Sequence, residues 1–370
     1  MIINLAFLTG ARSEYGVAKP LLKKLKSDPE INLMIFPSGM HLLKEFGYTI
    51  DDISGDGFKV TESINTYHSI RKKSHQFSNS VKSIYDVLNN YTIDLVYIIG
   101  DRIEAYTAAL AAHFLKIPIA HFGGGAITQG AVDNIYRFNI TNLSDIHFTT
   151  SKNNYQRVLD CILTNNENVY FTGSTAIEGI IKYRKIKKNV LRTYNQMNSF
   201  ALMTFHPVTV GDEPIANIMD SAINCILARD CNVLITYPNN DNGYKDIIKV
   251  INKWKKHEKV IVNRNLGAEV YYNAIHTSLF VIGNSSSGII EVPYFDKPVV
   301  NVGTRQQGRD KDSLIKDVEA DTDSVNNCIK SGFNEGWKNQ SCSKLYGNGT
   351  GIKKIINIIK SFVSNVNNYP

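Results

Sequence analysis

A chain of 370 residues is too long for one typical core, so two domains are expected, and 43% apolar content excludes a disordered protein. The +7 formal charge comes mostly from dispersed lysines, and the longest apolar runs are strand-length, well short of the ~20 residues of a membrane helix. Five scattered cysteines (Cys161, Cys225, Cys231, Cys328 and Cys342) without a CxxC pair point to a reducing, cytoplasmic setting rather than a disulfide frame or a zinc cage.

Met1 to Thr9 lacks a basic leader and reads as a first strand, not a secretion signal. Apolar strand runs then alternate with helix-length segments. In the first half they fall at Ile3 to Leu8, Asn32 to Phe36, Leu95 to Ile99, Ile117 to Phe122, Ile146 to Thr149 and Val169 to Phe171. In the second half they fall at Phe200 to Thr204, Asn232 to Tyr237, Val260 to Val262, Leu279 to Ile282 and Val299 to Val302. Near-continuous apolar strands separated by helices indicate parallel sheets covered on both faces. The expected architecture is α/β: two doubly wound halves, 1–181 and 182–350, followed by an amphipathic C-terminal helix within 351–370. The basic cluster Lys182, Arg184, Lys185, Lys187 and Lys188 falls between the halves and reads as a solvated linker, since no nucleic-acid recognition motif accompanies it.

Sheets of this kind bind ligands off the carboxyl ends of their strands. Those ends are polar here: Thr9-Gly10-Ala11-Arg12-Ser13-Glu14-Tyr15-Gly16, Gly100-Asp101-Arg102, His121-Phe122-Gly123-Gly124-Gly125, His206-Pro207-Val208-Thr209 and Tyr237-Pro238-Asn239-Asn240-Asp241. The richest end is Gly283-Asn284-Ser285-Ser286-Ser287-Gly288, with Glu291 about one helical turn further on. After the next strand comes Gly303-Thr304-Arg305-Gln306-Gln307-Gly308-Arg309. A Gly/Ser turn opening a helix offers free N–H groups and three hydroxyls to an anion, and two arginines follow the neighbouring strand. A diphosphate joined to a ribose suits that set.

Other chemistries lack their signatures. Arg12 occupies the place where a dinucleotide fingerprint needs its second glycine, so nicotinamide binding has no support. No GxxxxGK[ST], HExxH, Cys/His cluster or GxSxG is present.

Taken together, these segments resemble the hydrolysing UDP-N-acetylglucosamine 2-epimerases, the NeuC-type enzymes of sialic and legionaminic acid synthesis. The resemblance runs from Leu8 to about Arg309 and more loosely through Leu345-Tyr346-Gly347-Asn348-Gly349. It implies a GT-B fold, with two Rossmann-like domains facing a central cleft and a last helix crossing back to the first. It implies elimination of UDP across C1–C2 of a UDP-linked N-acetylated sugar, then hydration to the free C2-inverted sugar, with no cofactor and no metal. The nucleotide sugar would be held by Gly10, Arg12, Arg102, His206, Asn239, Asp241, Asn284, Ser285, Ser286, Glu291, Arg305 and Arg309. Proton transfer falls to Asp101 and Asp133, with Glu14, His121 and His206 as further candidates. The implied partner is this small substrate, not nucleic acid or membrane, and the expected assembly is a homo-oligomer, dimer or tetramer.

The chain departs from the family at the turn after the fourth strand. The family's glutamate is Ala126 and its second histidine is Gly123; downstream, a frequent Arg-His pair becomes Arg137-Phe138. Alanine moves no proton. Three readings therefore stay open: a hydrolysing epimerase, a GT-B glycosyltransferase, and a UDP-sugar-binding relative with weak or no catalysis.

Overall fold

The computed structural model describes residues 2–44, 48–66, 73–127, 133–163, 166–185, 199–208, 212–238, 243–264, 266–337 and 342–366. It forms two compact units, the first from Met1–Ile127, Ala131–Gly179 and Tyr346–Pro370, the second built on Ile180–Leu345.

The first unit carries strands β1 (Ile3–Thr9), β2 (Ile31–Pro37), β3 (Leu95–Ile99), β4 (Ile119–Phe122), β5 (Ile146–Thr149) and β6 (Val169–Phe171). Its helices are α1 (Arg12–Lys26), α2 (Ile50–Gly55), α3 (Lys73–Leu88), α4 (Ile103–Phe114), α5 (Asp133–Leu143), α6 (Lys152–Cys161) and α7 (Thr175–Ile181). The sheet is parallel in the order β2-β1-β3-β4-β5-β6, so the chain reverses its direction of growth between β1 and β3. Alternate residues of β1 serve opposite cores, Ile3, Leu5 and Phe7 on one face, Ala6 and Leu8 on the other. The second face packs the alanines of α4 (Ala105, Ala108, Ala109, Ala112), whose small side chains let the helix lie close to the sheet. Pro118 lacks the N–H that a ladder needs, and β4 begins just after it, two residues later than the apolar run.

The second unit carries β7 (Phe200–Thr204), α8 (Ile215–Leu227), β8 (Asn232–Thr236), α9 (Tyr244–Trp254), β9 (Val260–Asn263), α10 (Gly267–Thr277), β10 (Phe280–Gly283) and α11 (Ser286–Ile290). It continues with β11 (Val299–Val302), β12 (Ile315–Val318) and α12 (Thr322–Glu335). The order β12-β11-β10-β7-β8-β9 places its reversal between β7 and β10. Strand β12 was not expected from sequence. Its residues Ile-Lys-Asp-Val are half-buried at the ends and exposed in the middle, as suits an edge strand that one charged pair blunts.

Helix α13 (Gly351–Val366) buries Ile352, Ile355, Ile359 and Val363, at helical spacing, in the core shared by β1 and α1 of the first unit. Lys360 from the same helix reaches Asp28 at 2.8 Å and also pairs with Glu30. Among the described residues no helix is long and apolar enough to cross a membrane.

Candidate functional site

The reversal in the first sheet brings the ends of β1 and β3 side by side. Ala11 caps α1 but has no side-chain acceptor, so Glu14 folds back alone, its Oε2 accepting the N–H groups of Gly10 at 2.7 Å and Ala11 at 3.2 Å. A Cβ on Gly10 would lie 2.5 Å from the Cβ of Glu104, so glycine lets buried Glu104 of α4 pack against this turn. Glu14 is 6% exposed, and its Oε1 has no hydrogen-bond partner among the described residues. Burial, with a smaller push from the Glu104 carboxylate, raises its pKa from 4.5 to about 7 against the opposing N–H of Gly10.

Asp101 follows β3 and forms an ion pair through Oδ2 with buried Arg137 of α5, while 24% of its side chain stays exposed. Arg102 caps α4, its Nε 3.4 Å from Glu104 and its Nη2 3.1 Å from the Met40 sulfur. Asp133 begins α5 and keeps surface access. Partial desolvation of its carboxyl still raises the pKa, with the Arg102 charge opposing and that of Glu104 adding. His121 is fully buried, its Nε2 2.9 Å from the Gly100 carbonyl and its Nδ1 3.2 Å from the Thr141 hydroxyl. Burial lowers its pKa to about 4, so it is neutral and holds the Gly100–Asp101 turn. His41, which the sequence reading passed over, is also buried and neutral, bridging Thr9 at 3.0 Å and Thr49 at 2.7 Å.

In the second sheet the reversal brings His206, after β7, beside the loop after β10. The Asn284 side chain accepts the His206 N–H at 2.7 Å and donates to the His206 carbonyl at 2.9 Å. The backbone carbonyl of Asn284 receives Arg305 at 3.1 Å and Gln306 at 3.0 Å, so the turn after β11 is tied to the same node. Gly283 has φ 146°, and a Cβ there would lie 1.8 Å from the Thr204 carbonyl oxygen; no other residue fits. Glu213, just before α8, accepts both the N–H of Thr304 at 2.8 Å and its hydroxyl at 2.6 Å, pinning the Arg305 turn from behind.

Two expectations about the serine turn change. Helix α11 has only five residues before a 3-10 turn, Val292–Phe295, takes over with Pro293 in it, so it provides little dipole; backbone N–H groups and Arg305 remain as donors. Of the three hydroxyls, that of Ser287 is committed: it donates to Glu291 at 2.6 Å and accepts from Tyr271 at 2.9 Å. Ser285 caps α11 and Ser286 opens it. Burial pushes the Glu291 carboxyl upward in pKa, with the hydroxyls of Ser287 and Tyr272 opposing.

The other expected residues are more scattered. Arg12 is mostly exposed, 3.8 Å from Asp52. Arg309 ends the turn after β11, part-buried. Asn239, Asp241, Thr209, Lys187 and Lys188 lie outside the described residues. Arg184, read as part of a solvated linker, pairs with Asp296 at 2.7 Å. Glu104, Glu213, Gln306 and Tyr271 were missed because nothing in a local pattern marks a side chain whose partner is distant in the chain.

Comparison with known proteins gives a consistent result. The family model described as UDP-N-acetylglucosamine 2-epimerase matches residues 23–360. The hydrolysing UDP-N,N'-diacetylbacillosamine 2-epimerase of Legionella pneumophila is 30% identical, covering 98% of this chain and 96% of its own. Polysialic acid biosynthesis protein P7 of Escherichia coli is 28% identical, over 98% of this chain and 95% of its own. Among solved structures, an S. aureus MnaA–UDP co-structure is similar with a TM-score of 0.81 at 21% identity, over 100% of this chain and 99% of that one. That likeness shows the fold, two Rossmann-like α/β domains of the GT-B type.

Proposed function

We propose, on the premise that this chain belongs to the UDP-N-acetylglucosamine 2-epimerase family, that it is the hydrolysing kind. Its substrate would be UDP-N-acetylglucosamine or a related sugar such as UDP-N,N'-diacetylbacillosamine, and its products UDP and the free sugar inverted at C2, for nonulosonic acid synthesis. A base removes the C2 proton as the C1–O bond to UDP breaks, leaving a 2-acetamidoglucal. Water then adds at C1, and a proton returns to the opposite face of C2. Asp101 is assigned the first proton transfer and Asp133 the second, with Glu14 as a proton store.

The observation that carries this reading is the Asn284 node. It ties the backbone of His206 and the Arg305 guanidinium to the residue that directly precedes the Ser285–Ser286 helix start. Such an array neutralises the charge that grows on a departing diphosphate. Glu291, His206 and Arg309 would complete the nucleotide contacts, with Arg12 and Arg102 supplying further cations. Glycosyl transfer is not favoured by the family match. We place the protein in the cytoplasm, in keeping with its dispersed cysteines and the absence of a CxxC pair, and propose separately that it assembles as a homo-oligomer.

The test is incubation with each UDP-sugar in deuterated buffer, followed by NMR. The expected products are UDP and a free C2-inverted sugar carrying deuterium at C2. A C2-inverted sugar still attached to UDP, or no exchange at C2, would sink the hydrolysing assignment.

A further inference from the structure

We propose that Arg137 is the positioning residue of the proton-transfer edge, holding Asp101 in register for the reaction; the inference rests on the functional reading above. The Arg137 side chain is 5% exposed, and its guanidinium meets acceptors from three segments. These are Oδ2 of Asp101 after β3, the backbone carbonyl of Ala126 after β4, and Oδ1 of Asn134 at 2.8 Å in the first turn of α5. A buried guanidinium is tolerated only when paired and hydrogen-bonded, and here its counter-charge is the carboxylate assigned to the chemistry.

The same helix grips the turn a second time. The Thr141 hydroxyl lies 2.9 Å from the Arg137 carbonyl and 3.2 Å from Nδ1 of His121, whose Nε2 is 2.9 Å from the Gly100 carbonyl. Because that carbonyl only accepts, His121 carries its proton on Nε2, and its Nδ1 shares the single Thr141 hydroxyl proton with the Arg137 carbonyl. Gly100 and Asp101 are therefore clasped by α5 through both a charge and a neutral relay. The exposed 24% of Asp101 leaves it open to a substrate while Oδ2 is held from behind. At position 126 the Arg137 guanidinium donates to the Ala126 backbone carbonyl, so it ties the turn after β4 to the same cation that holds Asp101.

Two variants of the full chain test this, Arg137→Lys and Arg137→Ala. Lysine keeps the charge but loses the fork that fixes Oδ2. Arg137→Lys is expected to lower kcat by about 10–100-fold, the scale of a ~1 Å misplacement, with KM and UDP affinity within about threefold of wild type. Arg137→Ala is expected to lose more and to recover part of its kcat in millimolar methylguanidine. If the alanine variant does not fold, the lysine variant alone decides. Wild-type kcat in Arg137→Lys overturns the proposal. So does a parallel loss of UDP affinity and melting temperature, which would make Arg137 a purely structural residue. An inactive wild type sinks the functional reading and this proposal with it, whereas an active wild type with unaffected variants sinks the proposal alone.

Discussion

At the edge of the first sheet cations, one buried and one part-exposed, hold acids, whereas at the edge of the second sheet acids hold a turn that carries a cation. Arg137 pairs with Asp101, and Arg102 lies against Glu104, in the first unit. In the second, Glu213 clamps Thr304 beside Arg305, and Glu291 takes the Ser287 hydroxyl. Both edges sit at a reversal in strand order, so topology is shared and the roles of the two charges are exchanged. The contrast teaches that the strand-end position supplies access, and that the sign of the supporting group decides what is presented. Supported carboxylates suit proton transfer; a supported guanidinium among free N–H groups suits an anion.

The sharpest way to break this comparison is at Asp101. Asp101→Asn keeps the shape but cannot act as a base, so turnover and C2 deuterium incorporation should fall by about 10²–10⁴ while UDP affinity stays within about twofold. Full activity in this variant would move the base to Glu14, His206 or Asp133.

Glu14 offers a test by pH. Its folded pKa, about 7, lies above the ordinary 4.5, so its stabilising contribution is complete below pH 4.5 and is lost as pH rises to 7. The loss amounts to about 3 kcal/mol across that window, with no further change above it. Glu14→Gln removes the titration. Denaturant titrations at pH 4.5 and 8 should therefore show the variant gaining on wild type by about that amount. A difference that does not vary with pH would mean that Glu14 ionises like a surface acid and cannot store a proton.

On the second edge, Arg305→Ala should weaken UDP binding by about 10–100-fold, the value of a charge-assisted hydrogen bond to phosphate of about 1.5–3 kcal/mol. Titration calorimetry reads it directly, and unchanged affinity removes Arg305 from the phosphate contacts. The smallest effect is expected at Ser287. Ser287→Ala cuts the chain from Tyr271 to Glu291 and should cost about 1 kcal/mol in UDP affinity through the ribose. The loss should shrink with 2′-deoxy-UDP; an equal loss with both ligands would place Glu291 away from the ribose hydroxyls.

Much of the fold could be read from sequence because strands buried on both faces are continuous apolar runs. Leu95–Ile99, Ile146–Thr149, Phe200–Thr204 and Val299–Val302 stand in the structure with the bounds their residues suggest. Ile315–Val318 escaped because an edge strand with Lys316 and Asp317 at its centre shows no such run. The residue types at the strand ends were equally legible, since parallel sheets bring polar groups to one edge. Which partner each group takes was not. Ser285, Ser286 and Ser287 look alike in sequence, yet only the structure turns Ser287 inward to Glu291. Arg102 and Arg137 carry the same charge, yet it is Arg137 that pairs with Asp101. Hydrophobic periodicity is a local property of the chain and survives in the sequence. Charge pairing depends on distances between segments far apart in the chain, and tertiary packing alone sets those distances.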